Sequence, residues 1–315
     1  SKWREESIDR NIPFWETTAE INMNDIERSA FWRTMDEWTE GVMRMEIMGG
    51  EPFYMKEFKQ FVDYLIETGR SKNVALTLST NGTIADRDFL AKMVANFRDI
   101  AFSVSIDGIE DKFTYLRHPG KWDVVKDNLD YYYELHNSDN SVFVQITHTV
   151  TALNIMYLPE FHEYFETTYP NFKIWNNAVH YPKWISAPVL PAKAKKLITD
   201  KLLRHNWLSK YRDEANALVN FMNSALYENG DSVVESLKGK FDADKLKFFD
   251  ERSSQQKWTI FKSQIVGGDI YREENFVTVF PELYDLIKHE FDYDAEFEAV
   301  STAGFLPVSQ GEYSN

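Results

Sequence analysis

The sequence contains no cysteine among its 315 residues. This absence excludes a disulfide framework and any thiolate metal site built from these residues alone. Positive charge is scarce as well, because 50 acidic residues outnumber 35 lysines and arginines and leave a formal net charge of −15. A chain this acidic repels phosphate backbones, so we expect no nucleic-acid partner. No apolar run is long enough to span a bilayer, and we expect no membrane partner and a cytoplasmic location.

Several catalytic signatures are also missing. The seven histidines are scattered without an HxH or HExxH pattern, so a histidine-built metal site has no support. There is no GxSxG elbow and no phosphate-binding P-loop. His148 falls on the apolar side of a predicted strand, and we interpret it as a packed core residue.

Strand-like and helix-like segments alternate between Met43 and Tyr181. Alternation of apolar and polar residues predicts strands at Met43–Met48, Val74–Ser79, Ile100–Ile106, Phe143–Thr151 and Lys173–Tyr181. Apolar residues at helical spacing predict helices at Met55–Gly69, Asp86–Phe97 and Trp122–His136, and around Leu158, Phe161 and Phe165. This order predicts an α/β fold with a parallel sheet.

The flanking regions are predominantly helical in their patterns. We predict helix over most of Lys2–Gly41 and throughout Ala192–Tyr227, whereas Asn229–Asp269 is too mixed and charged to assign. The predicted organisation is an α/β core over residues 1–190, a mostly helical region over residues 191–290, and an acidic, loose tail over residues 291–315.

One face of the predicted sheet is small and polar. On the third strand Ile100, Phe102 and Val104 alternate with Ala101, Ser103 and Ser105, and the strands on either side repeat this pattern. A doubly wound sheet buries both faces and is apolar on both. A partial, open barrel explains the pattern better, with its apolar face against helices and its polar face lining a site. A sheet with one solvated face is the alternative.

Three turn motifs end successive strands. They are Gly49-Gly50-Glu51-Pro52, Ser79-Thr80-Asn81-Gly82 and Ser105-Ile106-Asp107-Gly108. Each alone is an ordinary turn sequence, but all three fall at carboxyl ends of strands, where parallel α/β folds place ligands. Their order and spacing resemble the radical S-adenosylmethionine (SAM) superfamily, from Met43 to about Tyr181. The end of the chain at Val279–Leu283 (VFPEL) resembles twitch-domain-containing radical SAM proteins.

The resemblance implies a partial (βα)6 TIM-like barrel and a SAM site. It implies that Gly49, Gly50, Glu51 and Pro52 bind the methionyl amino group of SAM. It places Thr80 and Asn81 near the cofactor and Ser105 and Asp107 near its ribose, whose hydroxyls can donate to Asp107. Thr149 and Asn154 are weaker matches. The segment Tyr115–Asn128, with Arg117, Gly120 and Val125, also resembles the stretch after the family's fourth strand.

The departure from the family is the missing cluster loop. The family holds a [4Fe–4S] cluster through a CxxxCxxC loop after its first strand, and neither the loop nor a clear first strand is found before Met43. Because the sequence begins with Ser1, we expect an N-terminally truncated member, with a genuinely cluster-less relative as the alternative.

Three functional hypotheses follow. The resemblance implies a radical SAM enzyme that, when intact, cleaves SAM reductively and abstracts hydrogen from an unidentified substrate, using an external electron donor. A non-catalytic binding module on the same fold is the second hypothesis. The third is an unrelated barrel lyase or aldolase, which the absence of lysine from the inward positions of the four clearest strands disfavours.

Overall fold

A computed structural model describes residues 33–224 and 252–303. These residues form two compact units, one over residues 33–178 and the other over residues 179–224 and 252–303. The predicted division of the chain at residue 190 stays a prediction. Most of the helix predicted at Lys2–Gly41 lies outside the described residues, although residues 33–39 are helical. Within the described ranges, no helix is long and apolar enough to cross a membrane.

The first unit is built around a five-stranded sheet in which all neighbouring strands are parallel and follow one another in chain order. The strands are β1 (Arg44–Ile47), β2 (Ala75–Thr80), β3 (Asp99–Ser105), β4 (Val142–Val150) and β5 (Lys173–Ala178). All five correspond to strands predicted from the alternation of the sequence, with small differences at their ends.

Helices connect these strands, as βα units require. They are α1 (Lys56–Glu67), α2 (Arg87–Asn96), α3 (Glu110–Leu116), α4 (Trp122–Ser138) and α5 (Leu158–Thr168). Short 3-10 turns lie at Pro52–Tyr54, Arg70–Asn73 and Ile155–Tyr157. Helix α2 begins after Asp86, whose carboxylate accepts from the backbone N–H of Phe89 at 3.2 Å and thereby satisfies one of the free donors of the first turn.

The two faces of the sheet differ as the alternation predicts. Because parallel crossovers are right-handed and each strand adds on the same side of its predecessor, the connecting helices fall on one face. Phe102 of β3 is buried on this face, with its ring centroid 4.8 Å from that of Tyr132 in α4. Ser103 and Ser105 on the opposite face are only half-buried. This α/β architecture is that of a partial TIM-like barrel.

Helix α1 shows why these segments pack as they do. Its buried side chains Phe58, Phe61, Val62 and Leu65 recur at helical spacing on one face, and Val62 and Leu65 are fully buried. Burying a side chain of this size stabilises a fold by about 1.5–3 kcal/mol. Helix α1 is therefore attached to the unit mainly through this single apolar stripe.

The described part of the second unit is helical. Its helices are α6 (Ala192–Arg204), α7 (Ser209–Met222), α8 (Ser254–Arg272), α9 (Phe276–Val279), α10 (Pro281–Ile287) and α11 (Tyr293–Ala303). The continuous helix predicted at Ala192–Tyr227 is wrong in one respect, because the chain leaves the helical conformation at His205. There the indole N–H of Trp207 donates to the carbonyl of Leu202 at 2.7 Å and satisfies a free acceptor of the helix end.

Two further segments correct or complete the sequence analysis. Part of Asn229–Asp269, which the sequence left unassigned, belongs to α8, which begins with a capping box at Ser253 and Gln256. The acidic tail predicted as loose over residues 291–315 contains α11, and only residues from 304 onward lie outside the description. The apolar spacing of Phe291, Tyr293 and Val300, all buried, outweighs the negative charge there.

Candidate functional site

The GGEP motif forms the turn that follows β1. Gly49 and Gly50 are exposed and adopt positive φ angles of 88° and 61°, a backbone conformation that favours glycine. Glu51 and Pro52 are buried, and the Glu51 carboxylate accepts from the backbone N–H of Phe53 at 3.4 Å. The two glycines thus present their backbone to the surroundings while Glu51 turns inward.

The Glu51 carboxylate connects this turn to the end of β2. The Thr80 hydroxyl lies 2.9 Å from one carboxylate oxygen and 3.0 Å from the other, and the backbone N–H of Asn81 donates to Oε2 at 2.7 Å. Glu51 and Thr80 are both buried, with 9% and 2% of their surface exposed. A buried carboxylate needs such donors, and here they come from the STNG motif.

The STNG turn is stabilised by hydrogen bonds within the turn and by one hydrogen bond from helix α4. The Asn81 side chain accepts from the N–H of Thr83 at 2.9 Å, and the N–H of Gly82 donates to the Thr80 hydroxyl at 3.1 Å. Gly82 has a φ of 74°, and its carbonyl accepts from the amide of buried Asn128 in α4 at 2.8 Å. The conformation of this turn is therefore fixed by its own side chains and by α4.

Asp107 forms a second polar group at the ends of β3 and β4. Its Oδ1 accepts from the backbone N–H of Thr149 at 2.7 Å, and its Oδ2 lies 2.6 Å from Nε of Arg117. The side chains of Asp107 and Arg117 are 14% and 28% exposed. This ion pair is therefore only partly shielded and remains accessible from the carboxyl edge of the sheet.

Asn154 ties the loop after β4 to the same place. Its amide donates to the carbonyls of Asp107 at 2.9 Å and Thr149 at 2.8 Å, and its oxygen accepts from the N–H of Thr151 at 2.7 Å. Because Asn154 is buried and all of these partners are backbone groups, it organises the loop.

Hydroxyl groups occupy the polar face next to these turns. Ser105 pairs in register with Thr147 of β4, and the hydroxyls of Ser103 and Thr147 lie 2.6 Å apart. Ser105 and Thr147 are half-buried. This face offers a ligand donors and acceptors.

His148 is a buried titratable side chain near this edge. It lies against Phe161, with a centroid distance of 4.0 Å, and its Nδ1 lies 3.0 Å from the carbonyl of Ile106. Burial lowers the pKa of His148 from 6.5 to about 4, against the opposing influence of Asp107. It is neutral at physiological pH and packs in the core, as the sequence predicts.

Six of the ten predicted site residues therefore fall into two groups. Glu51, Thr80 and Asn81 are in direct contact, and Asp107, Thr149 and Asn154 are in direct contact. At Gly82, which follows Asn81, a Cβ atom would lie 3.9 Å from the side chain of Ile106, which precedes Asp107. Thr80 shares the buried face of β2 with Leu76 and Leu78, and Glu51 is buried against it.

Three residues near these groups were not among the predicted site residues. Arg117 pairs with Asp107, Asn128 binds the STNG turn, and Tyr132 lies one helical turn after Asn128 and is fully buried. Arg117 and Asn128 occur in the segment whose similarity to the family was noted, which was the available signal. Tyr132 belongs to a run of three tyrosines, Tyr131–Tyr133, and nothing in the sequence separates it from its neighbours.

The residues present do not fit a [4Fe–4S] cluster. The sequence has no cysteine, and cluster ligation depends on thiolates. The described residues also contain no group of three or more histidine, aspartate or glutamate side chains that could hold a metal ion. The polar edge, with its hydroxyls and its ion pair, suits an organic polar ligand.

Residues 24–169 match the family model of the radical SAM superfamily. The match covers less than half of the chain and marks this segment as similar to the radical SAM superfamily, whose cofactors are SAM and a [4Fe–4S] cluster. No curated protein sequence matches the chain.

Two solved structures share a modest likeness with the chain. One is histidine-tagged anSMEcpe with bound AdoMet, at 18% identity and a TM-score of 0.39, covering 64% of this chain and 52% of that one. The other is native anSMEcpe with bound AdoMet and Cp18Cys peptide, at 20% identity and a TM-score of 0.37, covering 64% and 55%. The matched region thus spans only about half the length of these relatives.

Proposed function

We propose that the carboxyl edge of the sheet binds SAM and that the protein takes part in radical SAM chemistry. The observation that carries the proposal is the buried contact of Glu51 with Thr80 and Asn81, which joins two motifs of the superfamily. Gly49, Gly50 and Pro52 complete the first motif, and we assign this turn to the methionyl amino group. Ser105 and Asp107 are assigned to the ribose, with Thr149 and Asn154 holding Asp107 and its loop.

The contacts of Glu51 define how the first motif would act. Its carboxylate already accepts from Thr80, Asn81 and Phe53, so it holds the turn in shape. The acceptors left for an ammonium group are the backbone carbonyls of the exposed Gly49 and Gly50. In this proposal the glycines bind the amino group and Glu51 positions them.

The ion pair supports binding of the rest of the ligand. Each carboxylate oxygen has more than one lone pair, so Asp107 can accept from a ribose hydroxyl while it keeps its bonds to Thr149 and Arg117. The guanidinium of Arg117 carries further N–H donors beyond the one facing Asp107. These donors suit the carboxylate of an amino-acid ligand, because arginine binds carboxylates in a planar, two-pronged geometry.

The cluster would have to be held by thiolates outside these 315 residues. When bound, it supplies the electron for reductive cleavage of SAM in this superfamily. The proposal also includes an external electron donor, an unidentified substrate and a cytoplasmic location. It further includes a relation of the C-terminal region to twitch-domain proteins. That region includes the VFPEL segment, which spans the end of α9 and the start of α10.

A SAM-binding module without radical chemistry is the second candidate function. The observation that favours it is the absence of every thiolate from the sequence together with an intact set of contacts at the turns. Both candidates share the SAM site and differ only in the cluster.

Titration calorimetry of the purified chain with SAM tests the shared part of the proposal. We expect saturable binding that S-adenosylhomocysteine competes for and that methionine alone competes for weakly. A chain that binds none of these ligands would contradict both candidates. Formation of 5′-deoxyadenosine under reducing, anaerobic conditions, by the protein as produced from its natural coding region, then separates the enzyme from the module.

A further inference from the structure

Strand β5 carries an exposed tryptophan on the polar face of the sheet. Trp175 is 55% exposed, although tryptophan is highly buried on average in folded proteins. The alternate residues of β5, Ile174 and Asn176, point to the opposite face and are buried. Trp175 therefore presents a large aromatic surface on the side of the sheet that also carries the exposed hydroxyls of the candidate site.

The register of the sheet places Trp175 in line with residues of that site. Trp175 pairs with Thr147 of β4, and Thr147 pairs in turn with Ser105 of β3. Because neighbouring strands lie about 4.8 Å apart, the backbone of Trp175 is about 10 Å from that of Ser105. The pair of Thr149 and Asn177 follows two residues later at the carboxyl edge. The indole thus lies next to the hydroxyl groups of the polar face and close to its carboxyl edge.

A lysine precedes Trp175 on the same face. Lys173 is exposed and lies two residues before the tryptophan, about 6.6 Å along the strand. Its cross-strand neighbour is the uncharged Gln145, and its ammonium has no carboxylate partner within residues 33–224 and 252–303. An ammonium of this kind beside an exposed indole favours a ligand that offers both a negative charge and a flat ring.

We propose that Trp175 and Lys173 bind the substrate of this protein, and that the substrate carries an aromatic ring and a carboxylate. The ring packs against the indole in the offset or edge-on geometry that aromatic pairs prefer. The carboxylate pairs with the ammonium of Lys173, one strand repeat away from the ring. That this ligand is a substrate rests on the proposed function, whereas the existence of the binding site does not.

The proposed substrate site and the proposed SAM site occupy different strands. SAM is assigned to the turns after β1, β2 and β3, whereas Trp175 and Lys173 belong to β5, at the far end of the strand order. Asp107 and Thr149 lie between them at the carboxyl edge, so we expect both ligands to bind together. The alternative occupant of the indole is the adenine of SAM, and competition between the two ligands distinguishes these cases.

NMR titration of the chain with 3-phenylpropionate, in the absence of SAM, tests the site. The indole N–H resonance of Trp175, identified by its absence from the spectrum of Trp175→Phe, should shift saturably as this probe is added. Cyclohexanepropionate keeps the charge of the probe but has no aromatic ring, and 3-phenylpropionamide keeps the ring but has no charge. We expect each of them to bind about fivefold more weakly than 3-phenylpropionate.

Substitutions separate the contributions of the two side chains, with binding followed through the relaxation of the probe's own proton resonances. Trp175→Ala should weaken binding of 3-phenylpropionate about tenfold, and Trp175→Phe, which retains a ring, should weaken it less. Lys173→Gln should weaken it about fivefold and leave binding of 3-phenylpropionamide unaffected. The matched controls Phe297→Ala and Lys193→Gln, at exposed positions on other elements, should bind the probe as the wild type does.

Addition of SAM separates failure of this inference from failure of the proposed function. Simultaneous binding of SAM and 3-phenylpropionate supports both. Binding of SAM with no saturable binding of the probe, equal binding of the three probes, or equal effects of Trp175→Ala and Phe297→Ala would overturn the inference and leave the proposed function intact. Competition between the probe and SAM would assign Trp175 to SAM and overturn the inference as well. Binding of the probe by a chain that binds no SAM would contradict the proposed function and the role as a substrate site, and would leave the ligand site itself.

Discussion

Glu51 and Thr80 are joined by a buried hydrogen bond of 2.9 Å between residues 29 positions apart in the sequence. The contact links the turn after β1 to the end of the adjacent strand β2, so each turn restrains the other. Because both residues are buried, the bond also satisfies a carboxylate that would otherwise be costly to bury. The shape of the candidate site thus depends on a contact that is itself largely closed to solvent.

We predict that Glu51→Ala lowers the free energy of unfolding by about 1–3 kcal/mol, because it leaves the buried Thr80 hydroxyl and the N–H of Asn81 without an acceptor. Urea denaturation measures the change. Glu46→Ala is the control, because Glu46 is exposed on β1 and its removal should change stability by less than about 0.5 kcal/mol. Equal losses in both variants would show that the Glu51 contact contributes nothing specific.

The buried His148 predicts a loss of stability in mild acid. Its pKa is lowered from 6.5 to about 4 in the folded protein, so the unfolded chain takes up a proton first as the pH falls. The stabilising effect of keeping His148 neutral is therefore complete above pH 6.5 and is lost as the pH falls toward 4. The loss amounts to about 3 kcal/mol over that range.

Urea denaturation between pH 4 and 7.5 measures this dependence against variants. His148→Gln removes the titrating group and should flatten the curve between these limits. His289→Gln, at an exposed position, should keep the slope of the wild type. A slope that persists unchanged in His148→Gln would assign the acid sensitivity to other groups.

Iron and sulfide should not assemble a cluster on this chain. With no cysteine in the sequence and no alternative metal-binding group among the described residues, anaerobic reconstitution should give no stable visible absorption and no stoichiometric iron. Iron and sulfide analysis after desalting is the measurement. A stable, stoichiometric cluster would contradict both this prediction and our interpretation of the missing loop.

Gly82 and Gly69 form a natural pair for testing the turn. Both have positive φ angles, 74° and 72°, but a Cβ on Gly82 would lie 2.9 Å from Val104, whereas a Cβ on Gly69 would meet nothing within 4 Å. Both alanine variants carry the backbone strain, of about 1–2 kcal/mol. Gly82→Ala adds a clash with the sheet, so it should be the less stable by a further 1–3 kcal/mol or so. Equal melting temperatures would mean that the Val104 side chain moves aside without a loss of stability.

The sequence predicted the strands and their two faces because each face is determined by strict alternation over several residues. Phe102 and Ser103 differ in burial for that reason alone. The position of Glu51 could not be predicted this way. Its inward orientation depends on donors that come from β2, and a motif in one turn contains no information about the side chains of another. The same holds for Tyr132, because its neighbours Tyr131 and Tyr133 are the same residue type but make different contacts.

The helix α11 was missed for a related reason. Acidic composition favours solvent exposure on average, but a few apolar side chains at the right spacing suffice to hold a helix. Tyr293 is buried and donates to the buried carboxylate of Asp269 at 2.5 Å, and Lys262 lies 3.5 Å from Glu296. These partners belong to α8, which the sequence analysis had left unassigned.

The ion pair of Asp107 and Arg117 leads to the last prediction, which separates ligand binding from stability. Asp107→Ala removes the acceptor of the Thr149 N–H and leaves the partly buried Arg117 without its partner, so it should reduce stability by about 1–3 kcal/mol as well as affinity for SAM. Asp107→Asn keeps an oxygen acceptor for Thr149 but places an uncharged amide NH2 group opposite Arg117, so it removes the charge and the ion pair.

We therefore expect Asp107→Asn to lose less stability than Asp107→Ala and to bind SAM about tenfold more weakly, because a charged acceptor makes the stronger hydrogen bond. Asp99→Asn is the matched control: Asp99 also pairs with an arginine, Arg98, at 2.9 Å, but it lies at the opposite, amino end of β3. Calorimetric titration and urea denaturation on the three variants give both quantities. If Asp107→Asn and Asp99→Asn bind SAM with equal affinity, the carboxylate of Asp107 does not contact the ligand, and its role is confined to holding Arg117 and the end of β4.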